Sequence, residues 1–156
     1  LLIKGRKIAL LAGDGVDADQ LKEMKEALLA QGCVVELIAA HAGVITDSDG
    51  NAQKVNRAAP NAPSVIYDGV VVLGGDSAEA LSKSGLAIHF VSEAFRHGKP
   101  IAFIANANLV IKAAKFPKVG AQDGVIAGDG DGAIDAFVQA LHRHRFPRRS
   151  IGSVPA

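Results

Sequence analysis

Residues Lys7–Ala30 read KIALLAGDGVDADQLKEMKEALLA, and the change of pattern inside that stretch decides the fold. Lys7 to Ala12 is a short apolar run, ended by Gly13-Asp14-Gly15. From Asp17 to Ala30 the apolar residues Leu21, Met24, Leu28 and Leu29 recur at helical spacing. This is strand, turn, helix. Asp17 is the expected N-cap, Gln20 its capping-box partner three residues on, and Gly32 stands where a helix C-terminus wants it.

The alternation continues down the chain. Cys33 to Ile38 (CVVELI) predicts a second strand, and Gly43 to Lys54, with Asp47-Ser48-Asp49-Gly50 at its centre, a hairpin. Residues 57 to 64, with two prolines, read as irregular. Gly69 to Leu73 (GVVVL) predicts a third strand, followed by a helix from Asp76, with Glu79 in support, to about Arg96. Ile101 to Ile104 predicts a fourth strand and Ala107 to Ala114 a short helix. Brief strands near Val119 and Val125 and a last helix from Ala133 to Arg145 complete the expectation. Near-continuous apolar strands joined by helices imply a parallel sheet covered on both faces, an α/β doubly wound three-layer sandwich. No repeat or long linker divides residues 1–156, so one domain is expected.

Composition narrows the function. The chain has 156 residues, and seven aromatic side chains against 17 Gly and 27 Ala require a core of small aliphatic groups at close spacing. With 17 basic and 16 acidic side chains the net charge is +1, so no global field draws nucleic acid or an anionic membrane. The densest basic stretch is His142, Arg143, His144, Arg145, Arg148 and Arg149, which reads as a solvated or partner-facing tail. A single cysteine, Cys33, excludes an internal disulfide and a cysteine metal cluster, and fits a cytoplasmic location. The sole methionine is Met24 and the chain opens on Leu1, so a fragment of a longer protein is expected.

In a doubly wound sheet the crevice lies outside the carboxyl ends of the strands. The informative loops are therefore Ala12 to Gly15, Ala39 to His41, Gly74 to Ser77 and Ala105 to Asn108. Asp14, His41, Asp76 and Asn106 could converge there as a small-molecule site. Gly13, Gly15 and Ala18, with Glu36 downstream, fit a dinucleotide fingerprint. Asp14 and Asp17, however, set negative charge against the amides a pyrophosphate would need, so a tight turn is the better reading. Gly74-Gly75-Asp76-Ser77 suffers the same competition from Asp76. Gly128-Asp129-Gly130-Asp131-Gly132 lacks the remaining ligands of a calcium loop and reads as a polar turn before the last helix. Cys33 follows Gly32 at the amino end of its strand, the wrong edge for catalysis, and is expected buried and inert.

Two resemblances sharpen this. Gly98-Lys99-Pro100-Ile101-Ala102-Phe103-Ile104-Ala105-Asn106 resembles the strand and nucleophile elbow of the PfpI-like, class I glutamine amidotransferase-like superfamily. That superfamily carries Cys, often followed by His, at the tip, and an acid after the first strand; the matching positions here are Ala105, Asn106 and Gly15. A methyl group cannot attack a carbonyl, so the resemblance implies that these slots are vacant. Over nearly the whole chain, Gly5-Arg6-Lys7-Ile8-Ala9, the Gly43 to Gly50 hairpin, Ala62-Pro63-Ser64, Lys99-Pro100-Ile101-Ala102 and the Ile151-Gly152-Ser153-Val154-Pro155-Ala156 ending together resemble the C-terminal domain of large-subunit haem catalases. That resemblance implies a flavodoxin-like domain that does not bind haem, and the residues themselves offer no metal-ligand spacing. It would sit on a homotetrameric enzyme that dismutates hydrogen peroxide to water and oxygen. Its implied partners are the catalase core, sister subunits and unfolded client proteins, and its implied roles are stability, assembly and chaperone-like behaviour. The family's proximal tyrosine lies in Arg-x-x-x-Tyr; the only tyrosine here, Tyr67, has Pro63 four residues before it. The alternatives are a free-standing PfpI-like hydrolase or deglycase, and a binding module.

Overall fold

A computed structural model describes residues 3–143 and 146. Five strands and their outermost neighbour form one sheet in the order β5-β2-β1-β6-β7-β8: β1 (Lys7–Leu11), β2 (Val34–Ala39), β5 (Arg57–Ala58), β6 (Gly69–Val72), β7 (Ile101–Ile104) and β8 (Val125–Gly128). Every neighbouring pair in it is parallel. The hairpin β3 (Gly43–Thr46) and β4 (Ala52–Val55) stands apart as an antiparallel pair. The strand order reverses between β1 and β6, which makes their carboxyl ends the switch point.

Alternation along the strands builds the layers. Ile8, Leu10 and Val71 face α1 (Ala18–Ala30) and α5 (Gly130–Arg143), which contribute Leu21, Met24, Leu28, Phe137 and Leu141. Ala9, Leu11, Val70, Val72 and Phe103 face α2 (Ser77–Ser82), α3 (Gly85–Arg96) and α4 (Asn108–Ala113), met by Leu81, Phe90, Phe95 and Val110. The small residues allow the close spacing: a Cβ on Gly69 would lie 2.9 Å from both Phe137 and Leu141. Burying a side chain such as Phe137 contributes about 2–3 kcal/mol. The Arg6 guanidinium donates to the Leu141 carbonyl and ties the end of α5 to the entrance of β1.

Several expected elements differ. The helix foreseen from Asp76 to Arg96 is two helices, because Ser84 adopts extended backbone and its Oγ accepts from Ala87 N–H at 3.3 Å, capping α3 afresh. Asp76 has helical backbone and makes no capping bond. The irregular stretch contains β5 and two 3-10 turns, Ala59–Asn61 and Ser64–Ile66. No strand forms at Val119, since the Gly120 carbonyl takes Val125 N–H instead of a ladder partner. A 3-10 turn, Ala105–Ala107, precedes α4. β8 runs to Gly128 and α5 opens at Gly130, leaving only Asp129 as the turn. Asp17 caps α1 as expected, accepting from Gln20 N–H at 3.0 Å, but the Gln20 side chain reaches away to Gly74. His142 and Arg143 occupy the last turn of α5; His144, Arg145, Arg148, Arg149 and the Ile151 to Ala156 ending lie outside the described residues.

Candidate functional site

At the carboxyl end of β1 the loop is held from above by the hairpin. Asp14 Oδ1 accepts from Thr46 N–H at 2.9 Å and Gly15 N–H donates to the Thr46 carbonyl at 2.8 Å. Ser48 completes the seat: its N–H donates to the Val16 carbonyl at 2.8 Å and its Oγ accepts from Ala18 N–H at 2.9 Å. The hairpin is itself braced by Asp47, which accepts from the N–H groups of Asp49 and Asn51 and from Gln53 Nε2. Those bonds, the Gln53 amide foremost, hold the Asp47 carboxyl below its usual range.

The carboxyl end of β6 is stitched to the same loop. Asp17 N–H donates to the Gly74 carbonyl at 2.9 Å, Asp76 N–H to the Gly15 carbonyl at 3.0 Å, and Gly74 N–H to Gln20 Oε1 at 2.8 Å. Gly75 has φ +109°, and a Cβ there would lie 2.5 Å from Asp17 N. Only glycine fits so close a passage.

From β7 the chain turns sharply at Ala105, whose φ of +52° is the left-handed region a side chain seldom adopts. A strained strand-to-helix turn of this kind presents a nucleophile at the tip of a sheet. Here it presents a methyl. The next residue, Asn106, makes a two-point bond to one residue: its Oδ1 accepts from Gly75 N–H and its Nδ2 donates to the Gly75 carbonyl, both at 2.9 Å. At Gly15 (φ +86°), a Cβ would meet the Asp76 Cβ at 2.9 Å, so the loop has no room for an acidic side chain there.

Of the four crevice residues, Asp14, Asp76 and Asn106 are thus drawn into one hydrogen-bonded stretch through Gly15 and Gly75. His41 lies exposed after β2, its Nδ1 2.9 Å from the adjacent Ala42 carbonyl. Glu36, the acid of the dinucleotide pattern, is engaged elsewhere. It accepts from the Tyr67 hydroxyl at 2.7 Å and pairs with Arg57 at 3.2 Å and Lys7 at 3.6 Å. Burial and that carboxylate hold the Tyr67 phenol far above its ordinary range. Cys33 is buried, its Sγ 3.6 Å from the Ile3 carbonyl, and burial pushes the thiol up, away from the reactive thiolate. Among the described residues no group of three or more His, Cys, Asp or Glu side chains is placed to hold a metal ion. Nor is any helix among them long and apolar enough to cross a membrane. The glycines mark these loops in the sequence, whereas the Asn106–Gly75 and Gln20–Gly74 links join residues 31 and 54 apart and leave no local signature.

The fold defined by this sheet, elbow and hairpin is that of the DJ-1/ThiJ/PfpI-like proteins. It superimposes on oxidized Toxoplasma gondii DJ-1 with TM-score 0.73 and 15% identity, covering 89% of this chain and 90% of that one. An Anabaena variabilis protein containing DJ-1/ThiJ/PfpI-like and ferritin-like domains gives TM-score 0.76 at 16% identity, over 97% of this chain and 50% of that one. Within that class, residues 4–151 match the C-terminal domain found in long catalases, and the chain belongs to that family. It is 35% identical to catalase HPII of Pseudomonas putida over 99% of its own length, and spans 21% of that relative.

Proposed function

We propose that this chain, as one domain over residues 1–156, is a non-catalytic C-terminal module of a large cytoplasmic catalase. Its parent would dismutate hydrogen peroxide to water and oxygen in a homotetramer, and the module would contribute to stability, assembly or the holding of unfolded clients. The observation that carries this reading is the elbow: the left-handed Ala105 keeps the turn but ends in a methyl, while Asn106 is spent on Gly75. The proximal tyrosine of such a parent has no counterpart in this module. The single tyrosine is fully buried and donates its hydroxyl to Glu36, so it is not free to ligate iron. Haem is accordingly assigned to the remainder of the parent, with the catalase core and sister subunits as the module's partners.

Deleting the module from its parent tests the reading. Turnover per haem and the haem absorption band should stay unchanged while thermal inactivation accelerates and assembly weakens. Unaltered inactivation and solubility would refute a stabilising role. Esterase, peptidase and glyoxalase assays on the chain test the opposite reading, a PfpI-like hydrolase; robust turnover abolished by Cys33→Ser would establish it.

A further inference from the structure

At the far side of the sheet from β5, β8 is an edge strand, and among the described residues nothing pairs with its outer side. The register sets which groups face outward. Ile101 N–H donates to the Gly124 carbonyl and Ile101 is opposite Val125, so Ile126 and Gly128 bond towards β7. Val125 and Ala127 therefore point their backbone groups the other way. Val125 N–H is taken by the Gly120 carbonyl at 3.2 Å, whereas Ala127, which is exposed, offers both its N–H and its carbonyl. The edge strand is four residues long and has no Lys and no Pro; the Gly120 loop covers it at Val125 and leaves Ala127 open. Beside it runs a cleft of about 440 Å³ lined by Val119, Gly120, Ile126, Gly132 and Ala136.

We propose that this edge and the adjoining flank of α5 pair with the same surface of a second copy of this chain, about a two-fold axis through Ala127. An antiparallel pair centred there exchanges two hydrogen bonds, each Ala127 N–H to the other copy's Ala127 carbonyl, and joins the two sheets into one. The helices agree with the axis. Gly128 lies against Ala133, its position for a Cβ 3.8 Å from the Ala133 Cβ. One strand residue down, about 3.3 Å, corresponds to about two or three residues along α5, which brings Ala136 level with Ala127. Gly132 and Ala136 line the cleft, so the helix flank at the axis is small enough for a second helix at about 8–10 Å. Charge completes the match. Asp129 lies seven residues before Ala136 and Arg143 seven after it, so the axis sets the Asp129 of each copy towards the Arg143 of the other. The Arg143 guanidinium is already held at that end, 3.3 Å from the Gln122 carbonyl and 4.8 Å over the Phe146 ring. Such an isologous contact needs a self-complementary surface, and this one runs from acidic Asp129 past Gly132, Ala136 and the exposed Gln139 to basic Arg143.

Sedimentation velocity on the chain tests the proposal. A dimer is expected at about 10–100 µM, shifting to monomer in Ala127→Pro, which removes the edge donor. Asp129→Arg and Arg143→Glu should each weaken association roughly tenfold, since the symmetry repeats each clash, and the combined variant should recover most of the loss. Should Ala127→Pro lose its circular dichroism, the charge exchange decides instead. A wild-type chain that stays monomeric throughout that range, or a combined variant no better than the single ones, overturns the proposal. Either result would leave the edge to a segment of a longer chain.

Discussion

The switch point at the ends of β1, β6 and β7 and the outer edge of β8 treat their backbone groups in opposite ways. At the switch point, Gly15, Gly74, Gly75 and Asp76 have their amides bonded to the hairpin, to Gln20, to Asn106 and to one another. At β8, the amide and carbonyl of Ala127 face outward from the sheet. The same sheet thus spends its backbone groups on loop-to-loop bonds at the switch point and leaves those of Ala127 directed outward at its flank.

The comparison breaks most readily at Gly75. Gly75→Ala forces a Cβ against Asp17 N at a left-handed position, and a stability loss of about 3 kcal/mol or more is expected in urea unfolding. A loss under about 1 kcal/mol would mean that the loops are not stitched as tightly as their geometry implies. Asn106→Ala should cost about 1–3 kcal/mol by stripping two bonds from Gly75, with faster amide exchange confined to residues 74–76. If exchange rises evenly over the chain instead, Asn106 is not a local staple. On the edge side the sign reverses: Gly132→Ala, where a Cβ meets nothing within 4 Å, should stabilise α5 by about 0.5–1 kcal/mol, measured in dilute solution.

The smallest effect concerns the lid over the switch point. The folded Asp47 carboxyl is held below its ordinary 3.8, so its contribution is complete above that value and vanishes as pH falls through the lower folded value. Hairpin amide protection should fall in that acid window, and Asp47→Asn should flatten the dependence. A pH profile unchanged by the substitution would remove Asp47 as the brace.

Legibility followed the range of the forces. The strands were readable because Ile8–Leu11, Val70–Val72 and Ile101–Ile104 are buried on both faces and must be apolar throughout. The hairpin was readable because Asp49-Gly50 supplies the left-handed turn at φ +84°. β5 was not, since Arg57-Ala58 is two residues long and defined only by its pairing with β2. The break between α2 and α3 was written in Ser84-Gly85 but hidden by a helical pattern that continues on either side. At the site, the glycines announced the loops, while the partners that close them sit on other elements and are chosen by the tertiary fold.

The pairing of Tyr67 with Glu36 has a practical consequence. The chain has no tryptophan and no other tyrosine, so its intrinsic emission comes from one ring, lodged between β2 and α3. A phenol that donates to a carboxylate can pass its proton on excitation, so weak emission is the expected outcome for the folded chain. Opening that side of the sheet should separate the pair and brighten the signal, an optical gauge of one layer that needs no label and is read as tyrosine emission during urea unfolding.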